Sequence, residues 1–211
     1  MGIDPSIIIH EIKTYPYAKP IRQKKFPIQL RKVETIKPEV EKILREGFIY
    51  PIPLTDWVSN IVPIMKKHGT IQVCVDYRDI NKSCPNDNYP TPFINQIIDD
   101  CADSEVFSFM DGFSGYNQIN ILLVDQHKTA FIFPWGRFSY RKLPFYLKNL
   151  GVTFQRVMSY AFHDIQNIVD PYLDDLSAHS TFHQDHLKHL RVISVHCCFY
   201  KIWLNPHKCV F

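Results

Sequence analysis

The stretch "VDPYLDDLSAHS", residues 169–180, sets Asp174 and Asp175 side by side among apolar, strand-forming neighbours. Successive strand residues point to opposite faces, so adjacent carboxylates on a regular strand would be parted, whereas a turn lifts that restriction. Like charges held close either share a proton or share a cation. Read from composition alone, such a pair is a turn or a helix cap. A second acid changes that balance, because "EVFSFMD" alternates as a strand and also ends in an aspartate, Asp111. If the two strands are sheet neighbours, three carboxylates converge at one edge and make an oxygen-only site suited to magnesium. Two such ions about 4 Å apart serve in-line displacement at phosphorus.

The elements that would position these acids can be read from periodicity. Residues 1–30 hold four prolines and no sustained period, which predicts an extended lead-in. "KPEVEKILREG" predicts a short helix with Pro38 in its first turn and Gly47 as its stop. A hairpin around His68 and Gly69 follows, then a helix from Pro92 with Ile94, Ile97, Ile98 and Cys101 on one face. A second hairpin turns at Trp135 and Gly136. Leu150, Phe154, Val157, Met158 and Ala161 mark a long helix, the aspartates sit between two short strands, and a last helix runs through "HQDHLKHLRVISVHCCFYKIW", with Phe199 and Trp203 expected to close the core. Strands and helices without strict alternation predict an α+β fold.

Composition excludes several classes. The chain has 211 residues, 45% hydrophobic and 21% charged, enough for one domain or two small ones. Its net charge of +3 does not by itself imply a polyanion partner, although Arg22, Lys24, Lys25, Arg31 and Lys32 cluster near the start. Six cysteines without a CxxC pair, and no apolar leader, predict reduced thiols in an intracellular, cytoplasmic protein. No run approaches the ~20 apolar residues of a membrane span, so no membrane partner is expected. His183, His186 and His189 recur every three residues, a spacing that drifts around a helix, and read as a polar helix face rather than a zinc site.

"YLDD" between apolar strands, "FSFMDGFSGYNQI", "VCVDYRDINK", "KTAF" leading to "KLPF", "LKN" and "TFQR", in that setting, resemble the reverse transcriptase of gypsy-class long-terminal-repeat retrotransposons. The resemblance runs from "GIDPSI" to "LNPHKCVF". It implies a right-hand polymerase fold with fingers at 1–86 and 119–150 and palm at 87–118 and 151–211, the palm an antiparallel sheet packed on helices. It implies Asp111 and Asp174 as the main metal-binding aspartates, Asp175 as a third and more peripheral one, and the Gly112 carbonyl as a further metal ligand, with magnesium or manganese as the ion. The turn formed by Gly112, Phe113, Ser114 and Gly115 would cradle an incoming deoxynucleoside triphosphate, with Lys66, Lys67, Gln72 and Phe145 also at the nucleotide. Tyr116 would exclude a ribose 2′-OH by bulk.

The reaction so implied is attack of a primer 3′-OH on a deoxynucleotide, directed by an RNA or DNA template, and the alternative is a catalytically dead remnant that at most binds nucleic acid. The end at "LNPHKCVF" reads as a fingers-and-palm fragment whose thumb, connection and RNase H regions belong to the same polyprotein, which would leave the isolated chain inactive. Three departures stand out: Tyr146 where the resemblance has a glycine after "LPF", Gln72 where it has an arginine, and Leu150 and Val152 where it has small residues.

Overall fold

The structure is a computed structural model that describes residues 2–25, 30–65, 71–112 and 115–211. In chain order its elements are β1 (Ile9–His10), α1 (Leu30–Arg45), β2 (Ile49–Pro51), β3 (Ser59–Met65), β4 (Ile71–Val75), α2 (Arg78–Ser83), α3 (Ile94–Asp100) and β5 (Val106–Asp111). After a 3-10 turn at Gly115–Gln118 come β6 (Asn120–Ile121), β7 (Phe131–Phe133), β8 (Gly136–Tyr140), α4 (Leu150–Ala161), β9 (Val169–Tyr172), β10 (Asp175–Ser180) and α5 (His183–Tyr200). The fold is mixed α+β. Contacts divide the chain into two compact units, residues 1–8, 87–119 and 149–211 in one, residues 9–86 and 120–148 in the other.

In the unit of residues 9–86 and 120–148, five strands pair in the order β2-β8-β7-β3-β4. The β7–β8 hairpin closes on the pair Phe133 and Gly136, as its Trp-Gly turn predicts, and Phe131, Phe133 and Phe138 are buried. α1 starts well before the predicted Pro38, which lies inside the helix. The proline costs that helix one backbone hydrogen bond, yet the helix continues with Ile36 and Val40 buried. It ends as predicted at Gly47, whose φ of 74° lets its N–H reach Leu44 O while Phe48 N–H reaches Ile43 O, a Schellman cap. The lead-in is tied down by a buried ion pair: Asp125 accepts from Ile12 N–H and pairs with Lys128, whose ammonium also donates to Ile12 O. The tip of the β3–β4 hairpin, with Lys66 and Lys67, lies outside the described residues.

The other unit is built on the antiparallel sheet β5-β10-β9. Alternation gives each strand an inner and an outer face. Ser108, Met110, Leu176, Ala178 and Ser180 are buried on the inner face, against which α5 packs on β10 and α4 on β9. Phe107, Phe109, Asp111, Asp175 and Ser177 lie on the outer face by register. α5 buries a stripe of His186, Ile193 and Cys197. His186 bridges Ser108 through Nε2 and Ser180 through Nδ1, both at 2.8 Å, and burial first, then its histidine neighbours, lower its pKa.

Two packing expectations fail here. Phe199, two residues past Cys197 and so off the stripe, is 76% exposed, and Trp203 lies beyond the helix end with its ring half exposed. Gln118 holds the Trp203 backbone instead, accepting from its N–H and donating to its C=O. α3 buries none of its own residues: of the predicted apolar face, Ile94 and Ile98 are exposed, Ile97 is half-buried, and Cys101, the cap beyond the last turn, is buried.

Candidate functional site

The acids meet because two strands that alternate correctly also pair correctly. In the β5–β10 register Asp175 lies directly across from Asp111, and opposite residues on neighbouring antiparallel strands share a face. Asp174 and Leu173 form the two-residue turn that joins β9 to β10, closed by the pair Tyr172 and Asp175. Leu173 has φ of 56° while Asp174 has none in the positive range, the pattern of a type II′ turn, which ordinarily wants glycine first. By register it is Asp175 that faces Asp111, with Asp174 carried on the turn. The Asp174 carbonyl accepts from Gly112 N–H at 2.8 Å, tying the end of β5 to the turn.

A residue that sequence reading passed over holds this turn in its strained shape. Gln155 of α4 is fully buried; its Oε1 accepts from Leu173 N–H at 2.7 Å and its Nε2 donates to Pro171 O at 3.0 Å. Leu173 packs over Gly151, where an added Cβ would come within 3.2 Å of the leucine methyl. Gln155 stood inside the "TFQR" motif, but only as a residue of a helix.

A second unanticipated residue is Lys208. The segment after α5 runs antiparallel beside β5, with Phe109 and Val210 exchanging backbone hydrogen bonds and Asn205 N–H donating to Asp111 O. This brings the Lys208 ammonium to 2.9 Å from Asp111 Oδ2. Its pKa is raised by that hydrogen bond first and by the charges of Asp111, Asp174 and Asp175. Asp175 shows the opposing strain: burial, then repulsion from Asp174 and Asp111, raises its carboxyl above the usual range. The lysine was visible in "LNPHKCVF" but had no motif to mark it.

Tyr116 follows in the 3-10 turn. Its ring meets Phe154 edge-on at 5.4 Å, and its hydroxyl is 3.4 Å from Asp174 Oδ1. Burial and the Asp174 charge push its pKa to about 12, so the phenol stays protonated. Phe113 and Ser114 lie outside the described residues, whereas Gly115 opens the 3-10 turn. Gln72, on β4, and Phe145, partly exposed, belong to the other unit.

Three carboxylates, one raised in pKa by burial and then by its fellows and all within the field of a lysine, form a site that attracts positive charge. Oxygen donors alone suit a hard divalent cation such as magnesium. Beside it is a cavity of about 490 Å³ lined by Asp111, Asp175, Phe109, Tyr172, Lys208 and Ile94 among others.

Comparison with known proteins bears on what such a site serves. The family model described as reverse transcriptase (RNA-dependent DNA polymerase) matches residues 64–211. The Tf2-3 transposon polyprotein of Schizosaccharomyces pombe is 29% identical over 205 residues, 95% of this chain and 15% of that polyprotein. The retrovirus-related Pol polyprotein from transposon 412 of Drosophila melanogaster is 30% identical over 200 residues, 92% of this chain and 16% of its own length. This chain therefore spans about a sixth of the polyproteins it matches. Among solved structures, the foamy viral protease-reverse transcriptase dRH in complex with double-stranded DNA superposes with a TM-score of 0.87 at 19% identity, over 100% of this chain and 37% of that one. The foamy viral protease-reverse transcriptase in complex with an RNA/DNA hybrid gives 0.83 at 19% identity, over 92% of this chain and 26% of that one. The fold is thus the fingers-and-palm fold of a right-hand polymerase. With the family match extending over more than half of its length, the chain belongs to the reverse transcriptase (RNA-dependent DNA polymerase) family.

Proposed function

We propose that this chain is the nucleotidyl-transfer part of an RNA-directed DNA polymerase from a gypsy-class long-terminal-repeat retrotransposon polyprotein. The observation that carries the reading is the register that sets Asp111 across from Asp175 with Asp174 on the adjoining turn. In this reading Asp111, Asp174, Asp175 and the Gly112 carbonyl hold magnesium, for which manganese can substitute. Ions held there would supply the positive charge that lowers the pKa of a primer 3′-OH and offsets the charge of a departing pyrophosphate.

The protein's own part is to hold groups still, since positioning is most of what a phosphoryl-transfer enzyme supplies. Gln155 and Gly112 fix the turn that carries Asp174. Lys208 neutralises Asp111 from 2.9 Å. What supports Tyr116 as the gate against a 2′-OH is the restraint on its ring, edge-on to Phe154 and with its hydroxyl turned to Asp174. Lys66, Lys67, Gln72, Phe145 and the 112–115 turn are assigned to the triphosphate and base. The proposed partners are a primed RNA or DNA template, deoxynucleoside triphosphates, and the thumb, connection and RNase H regions of one polyprotein.

A second reading has an observation of its own. Tyr146 has φ of 69°, a conformation that favours glycine, which fits a copy that has drifted into a catalytically dead, nucleic-acid-binding remnant. One experiment separates the two. The chain joined to the thumb of a related reverse transcriptase is assayed for primer extension on RNA with magnesium. The polymerase reading expects incorporation that falls at least ~100-fold in Asp174→Asn, and a Tyr116→Val variant that admits ribonucleotides. Equal, background incorporation by parent and Asp174→Asn would leave the remnant.

A further inference from the structure

On the outer face of the same sheet, four residues along β10 from Asp175, a second group of ligating side chains comes together that nucleotidyl transfer does not use. Asp170 of β9 is paired with Ser177, and His179, two residues further along β10, shares that face by alternation. Cys101, the C-cap of α3, closes over both. Its Sγ lies 3.3 Å from Asp170 Oδ2, and His179 Nε2 lies 3.3 Å from the same oxygen. One ligand atom from each of the three residues falls within 4.8 Å of the other two.

The histidine is the telling member. His179 is only 7% exposed, and its Nε2 is buried without a hydrogen-bond partner. Its other nitrogen, Nδ1, is 3.1 Å from Ser104 Oγ. With the Nδ1 proton donated to that hydroxyl, Nε2 carries a lone pair. A lone pair facing a carboxylate oxygen in a buried place is repulsive unless a cation stands between them. A hydrogen bond that fixes the tautomer from behind is also what metal-bound histidines ordinarily have.

Tetrahedral zinc, with sulfur at about 2.3 Å and nitrogen and oxygen at about 2.0–2.1 Å, separates its ligand atoms by roughly 3.3–3.5 Å. The two 3.3 Å distances agree with that spacing. Sulfur and imidazole beside a single carboxylate favour zinc over magnesium. We infer that Cys101, Asp170 and His179 form a zinc site whose fourth position opens on a cavity of about 470 Å³ lined by Asp170, His179, Asp100, Gln155 and Gln166 among others.

The site has a structural purpose. α3 buries none of its own residues, so apolar packing does little to hold it, and a metal at its C-cap staples it to the hairpin that carries Asp174 and Asp175. In the metal-free chain Cys101 is a neutral thiol donating to Asp170, held up to about 12 mainly by burial. Zinc binding displaces that proton, because a coordinating thiol is deprotonated.

The test uses the purified 211-residue chain, stripped with a chelator and titrated with Zn²⁺ or Co²⁺ alone. Expected are one zinc per chain, a rise in melting temperature, a tetrahedral cobalt spectrum with a thiolate charge-transfer band, and no displacement of zinc by excess magnesium. Ser104→Ala, which keeps all three ligands, should weaken zinc binding about 10- to 100-fold. Cys101→Ser should remove the thiolate band and His179→Gln the stoichiometric binding, whereas Cys198→Ser, at an exposed thiol, should change neither. An octahedral cobalt spectrum without the thiolate band in the parent chain overturns the inference whatever the variants do. So does zinc binding that survives both Cys101→Ser and His179→Gln.

Discussion

Tyr146 and Leu173 share a conformation that ordinary side chains avoid, with φ of 69° and 56°. Their surroundings differ. Leu173 is held by Gln155 and fills space over Gly151, so its strain is supported by contacts at the site itself. Tyr146 is held through its backbone, Asn81 Nδ2 donating to Tyr146 O at 2.7 Å while Asn81 Oδ1 accepts from Lys148 N–H. Its side chain is 56% exposed, and its pKa is raised through an interaction with Cys74. A left-handed residue other than glycine costs about 1–2 kcal/mol, and an exposed ring returns little of that. Tyr146→Gly is therefore expected to stabilise the chain by about 1 kcal/mol in urea denaturation. A loss of stability would show that the contact with Cys74 outweighs the backbone strain. The resemblance read from the sequence implies a glycine at this position, and the φ value supplies the reason that glycine would suit it.

The hairpin of β9 and β10 is the element on which the site depends, and α4 is what keeps it in shape. Replacing Gln155 by leucine would leave Leu173 N–H and Pro171 C=O without their partner in a buried place, at ~1–3 kcal/mol for each unpaired group. The expected outcome for Gln155→Leu is a destabilisation of about 2–4 kcal/mol, measured by urea unfolding, with weaker manganese binding at the aspartates. Ser159→Ala removes only the longer 3.3 Å contact of the same amide and should cost far less. At this scale period and punctuation served well for β5, the strands of the first hairpin, the second hairpin, α4 and the stop of α1, because each alternates or turns as its own residues demand. They failed where the deciding contact was distant. Pro38 sits inside α1 rather than at its start, and the isoleucines of α3 look like a core face although that helix buries nothing.

At the scale of the whole chain, two units are woven from alternating segments, and relatives that match it are six to seven times longer. Nucleotidyl transfer needs primer, nucleotide and carboxylates aligned together, and a misplacement of about 1 Å can cost ~100-fold. The 211-residue chain alone is expected to extend a primer no better than its Asp174→Asn variant, in assays with magnesium or manganese. Extension clearly above that variant would show that these residues suffice to align the reactants. The sequence by itself determined the residue types and their local frames: an acid at the end of one alternating strand, a pair of acids at a turn, and a tyrosine five residues past the first. It determined these because hydrophobic alternation and turn chemistry are local properties. Only the tertiary structure decided that Asp175 faces Asp111, that Gln155 braces the turn, that Lys208 reaches the acids, and that Cys101, Asp170 and His179 meet. Those contacts join residues from 9 to 97 positions apart. Strand register and the path of the closing segment set them, and neither leaves a periodic trace in the chain.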